Sequence, residues 1–179
     1  YVDGVAVPGT YAAGAFRVTN AIAEGSHSIT YAYQDAAGNV SSPSPALNPV
    51  LIDITAPINT LPSAPSGTED TALSITGLSV NETNLASTQL STANGTLTIG
   101  TLNGAILSAG SNGSSNLTLS GTAAQVNAAL ATLSFTPTAN LNGTASITML
   151  STDTEGKTDT DVLNVTLAAV NDAPVLTTG

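Results

Sequence analysis

The chain has 179 residues, no cysteine, and twelve acids against two bases, Arg17 and Lys157, for a net charge of −10. Without thiols no disulfide framework holds it together, and the negative balance repels phosphate backbones and anionic bilayers, which excludes nucleic-acid binding and invites cations. Hydrophobic residues make up 41% but aromatics only 3%, so the core must be Val, Ile, Leu and Ala, and the abundant Thr, Ser, Asn and Gly favour strands and turns.

No apolar run reaches the roughly 18 residues of a transmembrane helix, so direct membrane insertion is not expected. Residue 1 is Tyr and no signal peptide is present, so the sequence reads as a fragment of something longer. In chain order, "HSITYAY" (27–33) alternates, with Ile29, Tyr31 and Tyr33 on one face, and predicts a half-buried strand. "QDAAGN" (34–39) is a turn with Gly38 available for positive φ. "ALNPVLIDI" predicts a strand running to Asp53, and Pro43, Pro45 and Pro49 place its start at an exposed edge. "APINTLPSAPSGT" (56–68) is a linker or an irregular first strand.

Short strand patterns then recur: "TALSI" (71–75), "GTLTIG" (95–100), "GAILS" (104–108), "SNLTLSG" (115–121), "LSFTP" (133–137), "ASITMLS" (145–151) and "DVLNVTLAAV" (161–170). Asn94-Gly95, Asn103-Gly104 and Asn142-Gly143 mark tight turns between them. The fold class expected is all-β: antiparallel sandwiches in tandem. One stretch departs from it. "TAAQVNAALATL" (122–133) places Val126, Ala129, Leu130 and Leu133 at helical spacing, and Thr122 with Gln125 forms a capping box, so a short helix is expected near 122–132. The bland alternative is an Ala-rich loop.

Catalytic machinery is not expected. Cysteine is absent, no phosphate loop or His-rich metal motif occurs, and His27, the one histidine, has no evident partner in "GSHSIT". What remains is oxygen chemistry, and hard oxygen ligands suit Ca²⁺. In an antiparallel sandwich the hairpin before the last strand faces the preceding module. "STDTEG" (151–156) is that hairpin, which places Asp153 and Glu155 near the linker carrying Asp53. "QDAAGN" holds the same place in the first module, so Asp35 and Asn39 face whatever precedes residue 1. Asp172 marks the opposite end. Two carboxylates about 4 Å apart repel by up to roughly 4 kcal/mol at an effective dielectric near 20 unless a cation joins them.

"GTEDTALSI", "GTLTIG", "LTLSGTAAQVNAALATLSFTP", "LNGTASITMLSTDTEG" and "VNDAPV" together resemble the cadherin-like repeats of giant secreted bacterial adhesins of the repeats-in-toxin type, over about 56–175. "GSHSITYAYQDAAGNVSSPSPAL" and "IDITAP" resemble the last half of a bacterial immunoglobulin-like repeat. The resemblance implies a partial immunoglobulin-like module at 1–55, a cadherin-like module at 56–172 and the start of a linker at 173–179. It implies seven-stranded Greek-key sandwiches and Ca²⁺ at the joints. "TED" is similar to the Pro-Glu-Asn of cadherins, which makes Glu69 a ligand with Asp172. "VNETN" stands where cadherins have Asp-x-Asp, which places Asn81, Glu82 and Asn84 near the first joint, and Asp153 resembles the aspartate ending the penultimate strand. With Asp-Ala-Asp replaced by Asn81-Glu82-Thr83 and no Leu-Asp-Arg-Glu motif, one or two ions per joint are implied rather than three.

The function expected is therefore a structural extender repeat of a large bacterial surface adhesin, secreted or at the cell surface, partnered by adjacent repeats of its own chain. Two alternatives stand beside it. One is a polymerising filament or sheath subunit, completed by strand addition from neighbouring subunits at an open sheet edge. The other is a carbohydrate- or protein-binding module.

Overall fold

The computed structural model describes residues 1–13 and 15–172. The chain divides into two compact units, Tyr1–Thr55 and Ala56–Gly179. Among the described residues nearly all regular structure is β, with one helix, and none of them forms a helix long and apolar enough to cross a membrane.

The first unit contains two antiparallel pairs. β1 (Gly9–Ala12) joins β2 (Ala15–Val18), and β3 (Gly25–Ile29) joins β4 (Leu47–Ile52). The strand expected over 27–33 stops at Ile29. Beyond it Tyr31 N and Tyr33 N donate to the hydroxyls of Ser44 and Ser41, at 3.1 and 3.0 Å. The same serines donate their own N–H groups back, Ser44 N to the Tyr31 carbonyl and Ser41 N to the Tyr33 carbonyl, both at 2.8 Å, while Pro43 and Pro45 on either side of Ser44 have no N–H with which to extend the ladder. Among the described hydrophobic residues of this unit only Val2 is buried, while Val5, Tyr31, Tyr33, Val40, Leu47 and Leu51 are exposed.

His27, which showed no partner in sequence, has one here. Its Nδ1 lies 2.7 Å from Asp3 Oδ2 and its Nε2 2.8 Å from the Ala23 carbonyl, and Ser28 N donates to Asp3 Oδ1. Two acceptors facing both ring nitrogens favour imidazolium. The Asp3 carboxylate, then the Ala23 carbonyl, raise the His27 pKa, whereas the Ser28 amide, then His27, lower that of Asp3. The histidine contribution is complete below its ordinary pKa and lost as pH rises through the raised one. The aspartate contribution is complete above its ordinary pKa and lost as pH falls through the depressed one. The pin on residues 1–5 is therefore strongest between the two. The His27 ring should titrate by NMR above its ordinary 6.5 and return towards it in Asp3→Asn. An unshifted midpoint in the parent chain would dissolve the pair.

The second unit is a sandwich. Its larger sheet runs in the order β11 (Ile106–Gly110), β12 (Asn116–Ser120), β9 (Leu85–Ser91), β14 (Gly143–Asp153), β15 (Thr158–Ala168), β6 (Ser66–Thr68). The other layer holds β10 (Gly95–Ile99), β13 (Leu133–Pro137) and β7 (Leu73–Ser74), and a separate pair joins β5 (Ile58–Thr60) to β8 (Ser79–Asn81). The first strand of this sandwich is split in two. Pro62 and Pro65 interrupt it, so β5 pairs with β8 while β6 crosses to lie parallel to β15. Gly77, at φ +89°, separates β7 from β8. β8 and β9 were not anticipated from sequence.

The inner faces follow a period of two. β14 turns Ala145, Ile147, Met149, Ser151 and Asp153 inward, and β15 turns in Leu163, Val165 and Leu167. The inward hydroxyls are satisfied: Ser151 Oγ donates to Asn59 Oδ1 at 2.6 Å and meets Thr88 Oγ1 at 3.1 Å. Asn59 Nδ2 donates to the Asp159 carbonyl, which fastens β5 to β15. The helix α1 (Ala123–Leu130) forms with the expected Thr122–Gln125 capping box and buries Val126, Ala129 and Leu130. Leu133, expected on its face, is instead buried as the first residue of β13.

Two asparagines close open backbone. Asn127 of α1 accepts from Val80 N at 2.8 Å and donates to Val80 O at 2.9 Å. Asn112 makes the same two bonds to Ile99, on the outer side of β10. Each side-chain amide stands in for the missing neighbouring strand, which blocks pairing with another chain at those positions.

Candidate cation site

β14 and β15 form the longest hairpin of the second unit, and acids gather at both its ends. At the turn end, a β-bulge between Thr152 and Asp153 shifts the register against β9, so that Asp153 faces Leu85 while Thr152 faces Ser87. Bulges re-aim side chains, and here the last inward position of a core strand is a carboxylate. Asp153 is only 2% exposed. Its Oδ1 accepts from Lys157 N at 2.8 Å, but its Oδ2 is buried without a hydrogen bond.

A Glu82 carboxylate oxygen approaches within 4.8 Å of one from Asp153. Glu82 Oε1 accepts from Thr83 N at 2.6 Å and from Asn84 N at 3.3 Å, which ties the carboxylate to the loop between β8 and β9. The other buried orphan oxygen among the described residues is Asn84 Oδ1. Glu155, expected as a ligand, lies outside this cluster. Its Oε2 accepts from Asn84 Nδ2 and, at 2.8 Å, from Thr154 Oγ1. Asp53 belongs to the first unit, where its Oδ1 accepts from Thr55 N at 3.0 Å.

At the other end of the hairpin, Glu69, Asp70 and Asp172 present carboxylate oxygens within 4.8 Å of one another. Glu69 is buried, and its two oxygens accept from Val170 N at 2.7 Å and Asn142 Nδ2 at 3.2 Å. Asp70, at φ +58°, accepts from Asn140 N at 2.8 Å. The pairing of Glu69 with Asp172 was anticipated, whereas Asp70 and Asn84 were not singled out as ligands. The linker expected at 173–179 lies outside the described residues.

Leaving an ionised, half-satisfied carboxylate in a protein interior costs several kcal/mol unless an opposite charge meets it. Glu82 beside it adds repulsion. Carboxylate oxygens are hard donors, and an amide oxygen is another, which fits a hard divalent cation such as Ca²⁺ and not a thiolate- or imidazole-preferring metal. Asp153 Oδ2 and Asn84 Oδ1 are the buried oxygens left open to such a cation. Asp35, by contrast, is spent on its own turn. Asn39, through side chain and then backbone, lowers its pKa, with Ala37 N assisting.

No protein-family model matches the chain, and no curated protein does. Among solved structures, the fibronectin(III)-like modules of Clostridium thermocellum CbhA align over 93% of this chain and 75% of theirs, at 13% identity and a TM-score of 0.34. SGBP-B of the Bacteroides ovatus mixed-linkage glucan utilization locus, solved with a mixed-linkage heptasaccharide, aligns over 92% of this chain and 35% of its own, at 20% identity and a TM-score of 0.23.

Proposed function

We propose that this chain is an extracellular spacer of a large bacterial surface protein, and that its second unit is a module stabilised by Ca²⁺. The observation that carries this reading is the buried Asp153 carboxylate with one oxygen unsatisfied beside Glu82. Acidic clusters at both ends of β14, about 33 Å apart at the strand rise of its eleven residues, suit a module joined in series to others. Asp53, three residues upstream of the second unit, is the sequence-based proposal for a ligand from the connecting segment. Glu69 and Asp172 are proposed for the other end, with a following repeat supplying further oxygens. Bound calcium would supply positive charge to the Asp153 and Glu82 carboxylates. The residues themselves fix where it sits.

The test is a calorimetric titration of the chelator-treated chain with CaCl₂. Extracellular modules bind Ca²⁺ with dissociation constants of roughly 10⁻⁴–10⁻³ M, and binding in that range is expected, with Mg²⁺ a poor substitute because it resists dehydration. Neither heat nor a melting shift on adding calcium would reduce the acids to solvated surface.

One observation favours a second reading. The first unit carries an apolar cleft of about 860 Å³ lined by Val7, Val18, Ile29, Tyr31, Tyr33 and Leu47 among others. Such a face fits a half-sandwich completed by an added strand. A concentration-dependent mass in solution would support a polymerising subunit, and a constant monomer mass would discard it. The edge-to-face pair Tyr31–Tyr33, with ring centres 5.8 Å apart and planes at 80°, is not the flat platform a sugar ring stacks on.

A further inference from the structure

We infer that Asn84 is the neutral oxygen ligand of the cation site, and that Glu155 is a positioning residue acting through it. This rests on the cation reading above and assigns two residues inside it. Asn84 immediately precedes β9, and its carbonyl accepts from Thr154 N at 3.1 Å, so loop and hairpin are tied by backbone as well as side chain. An asparagine amide has two ends, and surrounding donors and acceptors decide which way it points. Here the decision comes from the hairpin. Asn84 Nδ2 donates to Thr154 Oγ1 at 3.1 Å and to Glu155 Oε2. Thr154 Oγ1 donates to the same carboxylate oxygen at 2.8 Å, so Glu155 is an acceptor fixed from two sides.

Reversing the amide would set Asn84 Oδ1 against that carboxylate, oxygen to oxygen. The orientation is thus held with Nδ2 towards the hairpin and Oδ1 buried without a donor. Along the chain, Glu82 bonds Asn84 N, and Asp153 is paired in register with Leu85, the residue after Asn84. The two buried orphan oxygens, on Asn84 and Asp153, thus come from adjacent strand ends. Outer residues that orient a metal ligand typically contribute about 10–100-fold in affinity. An amide ligand also completes the donor set without adding a third negative charge.

The experiment is a CaCl₂ titration of the whole chain and of Asn84→Ala, Glu155→Ala, Glu155→Gln, Asp153→Asn and the double variant Asn84→Ala/Glu155→Ala. Circular dichroism in calcium-free buffer checks folding. Asn84→Ala and Glu155→Ala should each weaken binding by about tenfold or more, and the double variant should be no weaker than Asn84→Ala. Glu155→Gln should retain most of the affinity, because its amide oxygen still accepts from Nδ2. In the unmutated chain, the Asn84 side-chain amide resonances should move on calcium addition, a readout that needs no variant. Parent-like binding by Asn84→Ala, multiplying losses in the double variant, or Glu155→Gln as weak as Glu155→Ala would each overturn the assignment. If these occur while Asp153→Asn abolishes binding, this inference alone fails. If the parent chain binds no calcium, the cation reading fails and this falls with it.

Discussion

Phe135→Ala should cost the second unit about 3–5 kcal/mol of unfolding free energy. Phe135 is the one aromatic residue between positions 56 and 179 and is fully buried on β13. Its neighbours cannot collapse into the gap cheaply, because the site is built around the ring. A Cβ placed on Gly95 would lie 2.7 Å from Phe135 Cε2 and 2.2 Å from the Thr136 carbonyl, so glycine at 95 is what lets the ring and β10 lie together. The core is otherwise aliphatic and contains no second large anchor to share the loss. At the size of this unit the expected fall in melting temperature is about 10–20 °C, measurable by thermal or urea unfolding. Leu102→Ala, at a 37% exposed position, serves as the comparison and should change stability little. A loss below about 1 kcal/mol for Phe135→Ala would mean that the layers are not packed as one core.

Asp153→Asn should abolish the effect of calcium on stability. Asparagine retains an oxygen for the Lys157 amide but removes a buried charge, so in chelator the variant should be at least as stable as the parent. With free calcium about ten to a hundred times the dissociation constant, the parent gains roughly 1.4–2.7 kcal/mol by linkage, and the variant should gain almost none. The two melting curves should therefore meet or cross as calcium is raised. Equal calcium shifts in both proteins would remove Asp153 from the site.

Much of the second unit was legible in sequence where a local device reinforced the pattern. β10 begins at the Gly95 of an Asn-Gly pair, β12 and β13 alternate cleanly, and the capping box at Thr122 fixes the start of α1. β8 and β9 were illegible for a physical reason. Along "LASTQLS" the inward residues are Thr88 and Leu90, and a threonine satisfied by Ser151 has no hydrophobic signature. The split of the first strand was half legible. Pro62 and Pro65 forbid continuity, but that its halves join different partners is a tertiary outcome. At the site, Asp153 and Glu155 look alike in sequence. Counting by twos from Ile147 through Met149 and Ser151 reaches Asp153 and Glu155 alike, and what separates them is that β14 ends at Asp153 and leaves Glu155 in the turn. The resemblance of "VNETN" placed Asn84 near the joint, but its orphan oxygen is visible only once the hairpin is in place.

The parallel pairing of β6 with β15 has a consequence for a chain under tension. In a parallel pair, the entry of the earlier strand and the exit of the later one lie at opposite ends. Pulling the second unit at residues 56 and 172 therefore drives β6 and β15 past each other lengthwise. The bonds of Thr166 N to Pro65 O at 3.0 Å, Glu69 N to Ala168 O at 3.0 Å and the ladder between them share that load and must break together. An antiparallel hairpin pulled from its open end would yield one rung at a time. The unit is thus weakest to forces that peel and strongest along the line of its own chain.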